Sequence, residues 1–471
     1  MERLKIAEIA RAIRGQVIQG QPEIEVAGIS IDTRSIKPGE LYIAIRGKRL
    51  DGHQFVAEAM ERGAAAVMVE RQTPGSGGPA TVIQVQDTKT ALLTLARWYR
   101  AKLAVQVVAV TGSNGKTTTK EMLAEILKGR FRVVKARASF NNEIGVPLTV
   151  LNMDRSTEIG IFEIEMNELG GTRRLAEVCQ PQIGIVTNVG DTHLEFMHNR
   201  NGVAQEKAEL LEVLSGSGVA IINADDPLVL AMLERFPIVK AVTFGLGEGA
   251  AVFARGVREL GLDGTEFLFM GRYPVRLKVP GRHNIYNFLA AGAAARTLGL
   301  GFEEIAESIA QFSALAQRGT IRKLKGVLLI DESFNANPQS MAAALAVLQA
   351  SGPKERRVAI LGDMLELGAQ SGKLHQELGR VAAGIVDRLV VIGKQAGAIA
   401  RGALNAGFPP DRLKSYEQSN VGQGFSLASA PGAELFDIFK PGDIILVKGS
   451  RAMALELIIE RIVRHYGEET G

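Results

Sequence analysis

The stretch Val107–Thr118 constrains the fold of this chain more than any other part of it. Its first residues are apolar and mostly β-branched, which is typical of a buried parallel strand. Gly112 and Gly115 then allow a tight turn, and the residues after Thr117 have the pattern of a helix. Its apolar residues share one face, with Lys120 elsewhere: Met122, Leu123, Ile126 and Leu127. A strand, a glycine turn and a helix in this order predict an α/β domain with a parallel sheet.

The same turn predicts a phosphate site. A glycine turn that ends at a helix start collects free N–H groups and the positive end of the helix dipole. Lys116 adds a cation for the β- and γ-phosphates, and the Thr117 hydroxyl can hold Mg²⁺. Val110 stands where the general phosphate-binding loop has a further glycine, and an ordinary turn with a surface lysine is the alternative. The predicted ATP contacts are Thr111, Gly112, Ser113, Asn114, Gly115, Lys116, Thr117 and Thr118.

Length and charge narrow the class of protein. A chain of 471 residues is too long for one core, and we predict domains at 1–85, 86–313 and 314–471. Basic and acidic residues nearly balance, 55 against 51, so nothing indicates nucleic acid or an anionic membrane. The single Cys179 favours a reducing cytosol, and neither a signal peptide nor a membrane-spanning run is expected. We expect a cytoplasmic monomer.

Polar residues follow predicted strands in the first domain. Asp32–Arg34 comes after a strand over 26–31, and the glycine-rich Gly47–His53 comes after a strand over 40–45. Ligands of α/β sheets bind at such strand ends. Each segment alone is more typical of a solvated loop.

The central domain repeats this arrangement with charged side chains. Ile159–Glu165 has the pattern of a strand that ends in an acid, and Glu165 is our candidate Mg²⁺ ligand, with Glu163 expected to face the other way. His193 follows the strand pattern at 183–187, and Lys207 stands on a helix predicted over 202–214. A structural histidine and a solvated lysine beside Glu206 are the alternatives.

Three further polar segments fall on turns. Asn141–Pro147 is turn-rich, and Pro280–Phe288 opens an alanine-rich helix that its polar residues can cap. A hinge is predicted over 311–320, and the strand over 326–330 leads into Asp331–Ser340. Asp331 can bond a ribose hydroxyl, Arg318 can reach a γ-phosphate across a cleft, and the alternative for 335–338 is a turn before a capped helix.

The segment Thr111–Thr117 resembles the ATP loop of the Mur ligases and of the related folylpolyglutamate synthetases, and the ordered set of segments resembles the Mur ligases over essentially the whole chain. The resemblance implies a small α/β UDP-binding domain, a central P-loop-type parallel-sheet ATPase domain and a C-terminal Rossmann-like domain. It implies that His283, Asn284 and Asn287 lie against adenine. It also implies that Glu165, His193 and a Lys207 carboxylated by CO₂ bind Mg²⁺. The implied substrate contacts are Thr33, Arg34, Asp51, Asn141, Asn142, Asn335, Asn337 and Ser340.

Within that family, Asn335–Pro338, Gly362–Gly368 and Lys448–Arg451 resemble the branch that joins D-Ala-D-Ala to UDP-MurNAc-tripeptide. The implied reaction consumes ATP and passes through an acyl phosphate, with Lys116, Lys207, His193 and Arg318 as its catalytic groups. Alternatives are the tripeptide-forming branch, a folylpolyglutamate-type ligase, and a nucleotide-gated binding protein without catalysis.

Overall fold

A computed structural model of the chain describes residues 1–47, 50–71, 78–214, 218–237, 239–417 and 433–468. Within those residues the chain forms three α/β domains, which confirms the predicted fold class. Lys48 and Arg49 of the glycine-rich segment lie outside the described residues. No helix of the described part is long and apolar enough to span a membrane.

The first domain has a mostly parallel sheet of order β2-β7-β6-β5-β4, in which β2 runs antiparallel to β7. A separate antiparallel pair joins β1 to β3. The elements are β1 (Leu4–Lys5), α1 (Ile6–Ile13), β2 (Gln16–Gln19), β3 (Glu25–Val26), β4 (Ile29–Ser30), β5 (Leu41–Ile43), α2 (Val56–Glu61), β6 (Ala66–Val69) and β7 (Thr81–Gln84).

The central domain contains the strand that leads into the phosphate turn in the interior of its sheet. The elements are α3 (Thr88–Arg100), β8 (Gln106–Thr111), α4 (Lys116–Leu127), β9 (Val133–Lys135), α5 (Gly145–Leu151), β10 (Ile159–Glu163), α6 (Gly171–Cys179), β11 (Ile183–Val186), α7 (Leu194–Met197), α8 (Arg200–Val213), β12 (Val219–Asn223), α9 (Pro227–Leu230), α10 (Met232–Arg235), β13 (Lys240–Gly245), β14 (Val252–Glu259), β15 (Thr265–Phe269), β16 (Tyr273–Leu277), α11 (His283–Thr297) and α12 (Phe302–Ser308).

The strand order is β16-β15-β14-β13-β12-β11-β8-β10-β9, with parallel pairing from β9 to β14 and antiparallel pairing beyond. The apolar residues of β8 are buried on both faces, as its β-branched run predicted. Because β10 and β11 flank β8 in parallel, the polar residues that follow all three strands meet at one edge.

The third domain has the sheet order β17-β18-β22-β19-β20-β21, parallel except for β17. Its elements are β17 (Thr320–Leu324), β18 (Val327–Glu332), α13 (Pro338–Ala350), β19 (Arg357–Gly362), α14 (Ser371–Ile385), β20 (Arg388–Gly393), α15 (Ala396–Asn405), β21 (Leu413–Glu417), β22 (Asp443–Lys448) and α16 (Glu456–Tyr466). The predicted alternation of strands and helices is therefore present.

The third domain contacts the central domain through the start of α13. The Gln339 amide donates to Asp191 Oδ2 over 2.8 Å, and the Asp191 N–H donates to Gln339 Oε1 over 3.0 Å. These contacts place the carboxyl ends of the two sheets opposite each other.

Candidate active site

The turn after β8 has backbone geometry that requires glycine. Gly112 and Gly115 have φ of +137° and +83°, a region that L side chains rarely adopt. A Cβ on Gly112 would lie 2.0 Å from Thr187 Oγ1, and one on Gly115 would lie 2.1 Å from Asn287 Oδ1. Helix α4 begins directly after Gly115, so the N–H groups of its first turn have no partner within the helix. This turn is built as an anion site.

The loop after β11 holds this turn through hydrogen bonds. The Asn114 N–H donates to Asn188 Oδ1 over 2.9 Å, and the Thr187 hydroxyl donates to the Asn114 carbonyl over 2.6 Å. Asn188 was not among the residues predicted from the sequence. A polar residue just after a strand parallel to β8 was the available signal.

Lys116 is buried at the centre of this edge, with 6% of its side chain exposed. Its ammonium donates to the Gly112 carbonyl over 2.7 Å and to Glu165 Oε1 over 2.8 Å. Burial opposes the charge of Glu165, but Lys116 and His193 outweigh that effect and hold the pKa of the carboxyl well below its usual range. The alternative of a surface lysine is wrong.

Glu163 also points into this site, so the expectation that it faces away is wrong. The Thr117 hydroxyl donates to Glu163 Oε2 over 2.8 Å, and Glu163 is 1% exposed. Residues two apart along a strand share a face, so alternation places Glu163 on the same side as Glu165. The two carboxylates therefore act as a pair.

Oxygen donors at this point suit Mg²⁺, which binds one or two carboxylates together with substrate phosphates. The Thr117 hydroxyl and the Glu163 carboxylate are already in contact, and Glu165 lies beside them. Among the described residues no group of three or more His, Cys, Asp or Glu side chains is arranged as a metal site. The residues present thus fit an ion that arrives with a phosphate.

His193 lies at the border between the central and third domains. Its Nε2 is 3.7 Å from Glu165 Oε1, and its Nδ1 is 2.5 Å from Oε2 of Glu366 in the third domain. Burial lowers the pKa of His193, but the nearby carboxylates of Glu165 and Glu366 outweigh it and the pKa is raised. Glu366 was missed because only tertiary structure brings it to His193.

Lys207 is buried, with 1% of its side chain exposed, and does not line the cavity described below. Its ammonium lies 2.6 Å from Oε2 of Glu206, which is equally buried. The positive charge of Lys207 lowers the pKa of His193, so the two side chains share one electrostatic neighbourhood. The alternative of a solvated helix lysine is wrong.

A cavity of about 660 Å³ lies between the central and third domains. Lys116, Thr117, Glu163 and Glu165 line one end of it. Apolar, amide and imidazole side chains also line it: Leu228, Phe244, Val279, His283, Asn284, Asn287 and Phe312. Charged groups together with apolar and amide groups are what the phosphates and the base of a nucleotide require.

The predicted adenine contacts His283, Asn284 and Asn287 line the cavity, and Asn287 lies beside Gly115 of the phosphate turn. Asn287 donates to Asn284 Oδ1 over 3.0 Å, and Asn284 donates to the Pro280 carbonyl over 2.8 Å. Burial lowers the pKa of His283, which favours its neutral form. Tyr286 was missed, and its hydroxyl donates to Asp225 Oδ2 over 2.9 Å.

Arg318 enters the cavity from the third domain. Its guanidinium lies 3.9 Å from the centre of the Phe334 ring, and Nη2 donates to the Ser139 hydroxyl over 3.1 Å. Lys448 lines the same wall and bonds Glu332 Oε2 over 3.0 Å. A cation from each domain therefore faces the cavity, Lys116 from one and Arg318 from the other.

Family models match all three domains. The Mur ligase family catalytic domain matches residues 25–100, the Mur ligase middle domain matches 110–295, and the Mur ligase glutamate ligase domain matches 317–451. The UDP-N-acetylmuramoyl-tripeptide–D-alanyl-D-alanine ligase of Bacillus subtilis is 35% identical over 463 residues, 97% of this chain and 98% of that protein. The chain belongs to the Mur ligase family.

Solved structures agree with this assignment. A structure of MurF from Acinetobacter baumannii superposes on this Mur ligase with a TM-score of 0.86 at 30% identity, covering 98% of this chain and 99% of that one. The MurF ligase of Thermotoga maritima, in complex with ADP, superposes with a TM-score of 0.77 at 27% identity, covering 93% and 97%.

Asp331 of this Mur ligase lies beside the cavity rather than on its wall. It is 1% exposed, and its Oδ1 accepts hydrogen bonds from the Ser333 N–H over 3.2 Å and the Ser333 hydroxyl over 2.7 Å. Its neighbour Glu332 lines the wall instead. The expected ribose contact of Asp331 has no support in this geometry, because the carboxylate is used to close its own turn.

Asn335, Asn337 and Ser340 all line the cavity. Asn337 and Ser340 form a reciprocal cap on α13, so the alternative of a turn before a capped helix is confirmed. The Asn337 amide also donates to Asn114 Oδ1 over 2.7 Å and thus joins α13 to the phosphate turn.

The two asparagines after β9 have local partners. The Asn141 amide donates to Glu163 Oε1 and to Glu165 Oε2, each over 2.9 Å, and so orients both carboxylates. Asn142 Oδ1 accepts the N–H groups of Ile144 and Gly145 at the start of α5. Neither side chain lines the cavity.

The candidates of the first domain are likewise absent from the cavity wall. Arg34 pairs with Asp32 over 2.6 Å, and Thr33 is buried. Asp51 accepts from His53 and, over 2.8 Å, from Arg71. Their substrate roles stay predictions.

Proposed function

We propose that this Mur ligase joins D-Ala-D-Ala to UDP-MurNAc-tripeptide at the expense of ATP, a step in peptidoglycan precursor synthesis. The observation that carries the proposal is end-to-end similarity to ligases of this name, since 97% of the chain aligns with the Bacillus subtilis enzyme. The cavity with its phosphate turn supplies the chemistry that such a ligase needs.

ATP occupies the cavity with its phosphates on the turn from Thr111 to Thr118. The N–H groups at the start of α4 receive the phosphate oxygens, and Lys116 leaves Glu165 to follow the charge on the γ-phosphate. The part of the wall that includes His283, Asn284 and Asn287 holds the base. Arg318 meets the γ-phosphate from the opposite wall.

The γ-phosphoryl group then passes to the terminal carboxylate of the tripeptide. This forms an acyl phosphate and ADP. The neutral amine of D-Ala-D-Ala attacks the acyl carbon and forms a tetrahedral intermediate. The C–O bond to phosphate then breaks, the nitrogen loses a proton that leaves with the inorganic phosphate, and the amide remains. Positioning and charge stabilisation account for most of the rate in reactions of this kind, and Lys116 and Arg318 bracket the transferred group. Closure of the third domain over the cavity excludes water.

Thr117, Glu163 and Glu165 would hold Mg²⁺ beside the phosphates. Bound there, the ion would neutralise charge on the transferring group. The expected metal role of Glu165 is thus extended to Glu163, whose carboxylate already accepts the Thr117 hydroxyl.

Lys207 is proposed to react with CO₂ and become a carbamate. Its burial supports this, because a buried neutral amine is predisposed to the reaction, whereas an exposed lysine is not. The carbamate would change a cation into an oxygen donor near His193, of the ligand type that Mg²⁺ prefers. It would also remove the positive partner of Glu206, so we expect the modification to need a bound cation.

The two outer domains are proposed to hold the two substrates. The first domain receives the UDP end through Thr33, Arg34 and Asp51. The segments around Asn141 and Asn142 face the peptide, and the third domain receives D-Ala-D-Ala near Asn335, Asn337 and Ser340. The reaction would run in the cytosol, where ATP is present. A monomer suffices because one chain supplies both walls of the cavity.

The test measures phosphate released from ATP with each substrate omitted in turn. We expect release only with UDP-MurNAc-tripeptide and D-Ala-D-Ala together, and much slower release with D-alanine, L-lysine or diaminopimelate as the amine. Faster ligation of a free diamino acid would identify the tripeptide-forming branch instead. Folate-dependent release would identify a folylpolyglutamate-type ligase, and binding of ATP without turnover would leave a nucleotide-gated binding protein.

A further inference from the structure

Lys120 lies one turn beyond Lys116 on α4, and its side chain is fully buried. Its position outside the apolar stripe of α4 predicted no such burial. Burying an ammonium group costs several kcal/mol unless it is hydrogen-bonded and its charge is balanced. A lysine at this place therefore has to be matched by specific partners.

Those partners come from a segment after β9, residues 136–141, which we call the bridging segment. The Lys120 ammonium donates to the Ala136 carbonyl over 2.9 Å and to the Ala138 carbonyl over 2.5 Å. It also lies 3.2 Å from Glu121 and 3.7 Å from Glu163 Oε2. The ammonium thus clamps the segment and balances the charge of a carboxylate in the active site.

The clamp holds a strained backbone. Ala138 has φ +44°, in the left-handed region that residues with a Cβ rarely adopt. Such a conformation persists only where the surroundings determine it. The hydrogen bond from Lys120 to the Ala138 carbonyl is a contact of that kind.

Past Ala138, the bridging segment makes the contacts that arrange the cavity. The Ser139 hydroxyl accepts Arg318 Nη2 from the third domain over 3.1 Å. The Asn141 amide holds Glu163 and Glu165, each over 2.9 Å. Displacement of this segment would therefore misplace both the carboxylate pair and the arginine.

We propose that Lys120 is a positioning residue for phosphoryl transfer, acting through the bridging segment on Arg318 and on the pair Glu163 and Glu165. The proposal rests on the proposed function. Lys120 itself does not line the cavity. Its removal should therefore spare ground-state binding of ATP and weaken the alignment that the transition state requires.

The test compares Lys120→Met with Lys128→Ala, using the ligase assay and ADP binding by calorimetry. Methionine keeps the apolar stem and removes the donors and the charge. Lys128 follows the last residue of the same helix, is exposed and pairs with Glu125, so it is the matched control. We expect kcat of Lys120→Met to fall by about 10²-fold, because small misplacements near the chemistry cost this much. The KM for ATP and the Kd for ADP should change less than about threefold.

A second arm separates positioning from a general loss of structure. Arg318→Ala is made in the wild-type and in the Lys120→Met background. If Lys120 acts through Arg318, the loss of kcat caused by Arg318→Ala should be at least about tenfold smaller in the second background. A purely structural lysine predicts the same loss in both backgrounds, and that result overturns the proposal.

If Lys120→Met does not fold, the Ser139→Ala variant tests the proposal instead. It should lower kcat and reduce the effect of Arg318→Ala, whereas an unchanged kcat overturns the proposal. The proposed function fails separately, when wild-type and Lys128→Ala proteins release no phosphate with both substrates present.

Discussion

The two walls of the cavity are held together in different ways. The phosphate wall, by which we mean residues 111–118 with Glu163 and Glu165, follows neighbouring strands of one sheet, and its polar groups already bond one another. The closing wall, by which we mean Arg318, Phe334, Asn337 and Lys448, belongs to another sheet. It meets the phosphate wall and its loops through contacts such as Asn337 to Asn114 and Arg318 to Ser139.

We expect the phosphate wall to bind ATP and the closing wall to align the transferring phosphoryl group. The phosphate wall is rigid because parallel pairing of β8, β10 and β11 fixes its loops, and substitutions there should remove chemistry without moving the fold. The closing wall depends on hydrogen bonds across a domain border, which contribute about 1 kcal/mol each. Substitutions there should act on docking.

The largest effect is expected at Lys116. Lys116→Ala removes the cation that follows charge onto the transferring phosphoryl group, and kcat should fall by about 10³-fold or more. Circular dichroism should show a folded protein, because the ammonium contacts only its own loop and Glu165. Near-normal turnover would refute the assignment of the phosphate wall, with Lys128→Ala as the unaffected control.

A somewhat smaller loss of kcat, about 10²-fold, is expected on replacing Lys207. If Lys207 carries a carbamate, it supports the phosphate wall without lining the cavity. Lys207→Ala alone would remove the cationic partner of the buried Glu206 carboxylate, which can cost about 3–5 kcal/mol of stability. The informative protein is therefore the pair Lys207→Ala with Glu206→Gln.

In that pair acetate should restore part of the rate, since a small carboxylate can take the place of the carbamate. Mass spectrometry of the intact wild-type protein in bicarbonate should show the added CO₂. A fully active pair would end the carbamate hypothesis and leave Lys207 a structural lysine.

At the closing wall we expect KM to change by about tenfold or less. Gln339→Leu removes both hydrogen bonds to Asp191, worth about 1–2 kcal/mol of docking. KM values should rise while the melting temperature stays within a few degrees. Gln376→Leu, on an exposed face of α14, is the matched control. A Gln339→Leu protein with unchanged KM would show that docking does not depend on this contact.

The smallest effect is expected in the first domain. Burial disfavours the charge of Asp51, but hydrogen bonds from His53 and Arg71 outweigh it and lower its pKa from 3.8 to about 2. The lowered pKa of Asp51 stabilises the folded protein at pH values above the unfolded pKa near 3.8. This stabilisation is lost as the pH falls through the folded pKa of about 2.

Asp51→Asn should therefore lower the free energy of unfolding by about 1–2 kcal/mol at pH 7, and the difference should shrink to about half at pH 3 and vanish only below about pH 2. Urea titrations at pH 7 and pH 3 measure this. A large rise in the KM for the UDP substrate, with unchanged stability, would instead favour the substrate role predicted for Asp51.

The sequence by itself determined the parts of the site that are contiguous. Gly112, Gly115, Lys116 and Thr117 are predictable because a strand, a turn and a helix start place them by local geometry alone. The strands that became β10 and β11 were predictable too, although β10 ends at Glu163 and not at the predicted Glu165, and parallel strands bring their carboxyl ends to one edge. The error at Glu163 came from misapplied alternation and not from missing information.

Tertiary structure decided the surroundings of the charged side chains. The contact of His193 with Glu366 and the bonds of Lys120 to the carbonyls of Ala136 and Ala138 depend on residues distant in sequence, and the burial of Lys120 and Lys207 depends on packing. The sequence does not distinguish a helix lysine whose ammonium is surrounded by water from one that faces a carboxylate. The energy of such a lysine, and hence its role, is set by the dielectric and the partners that packing supplies.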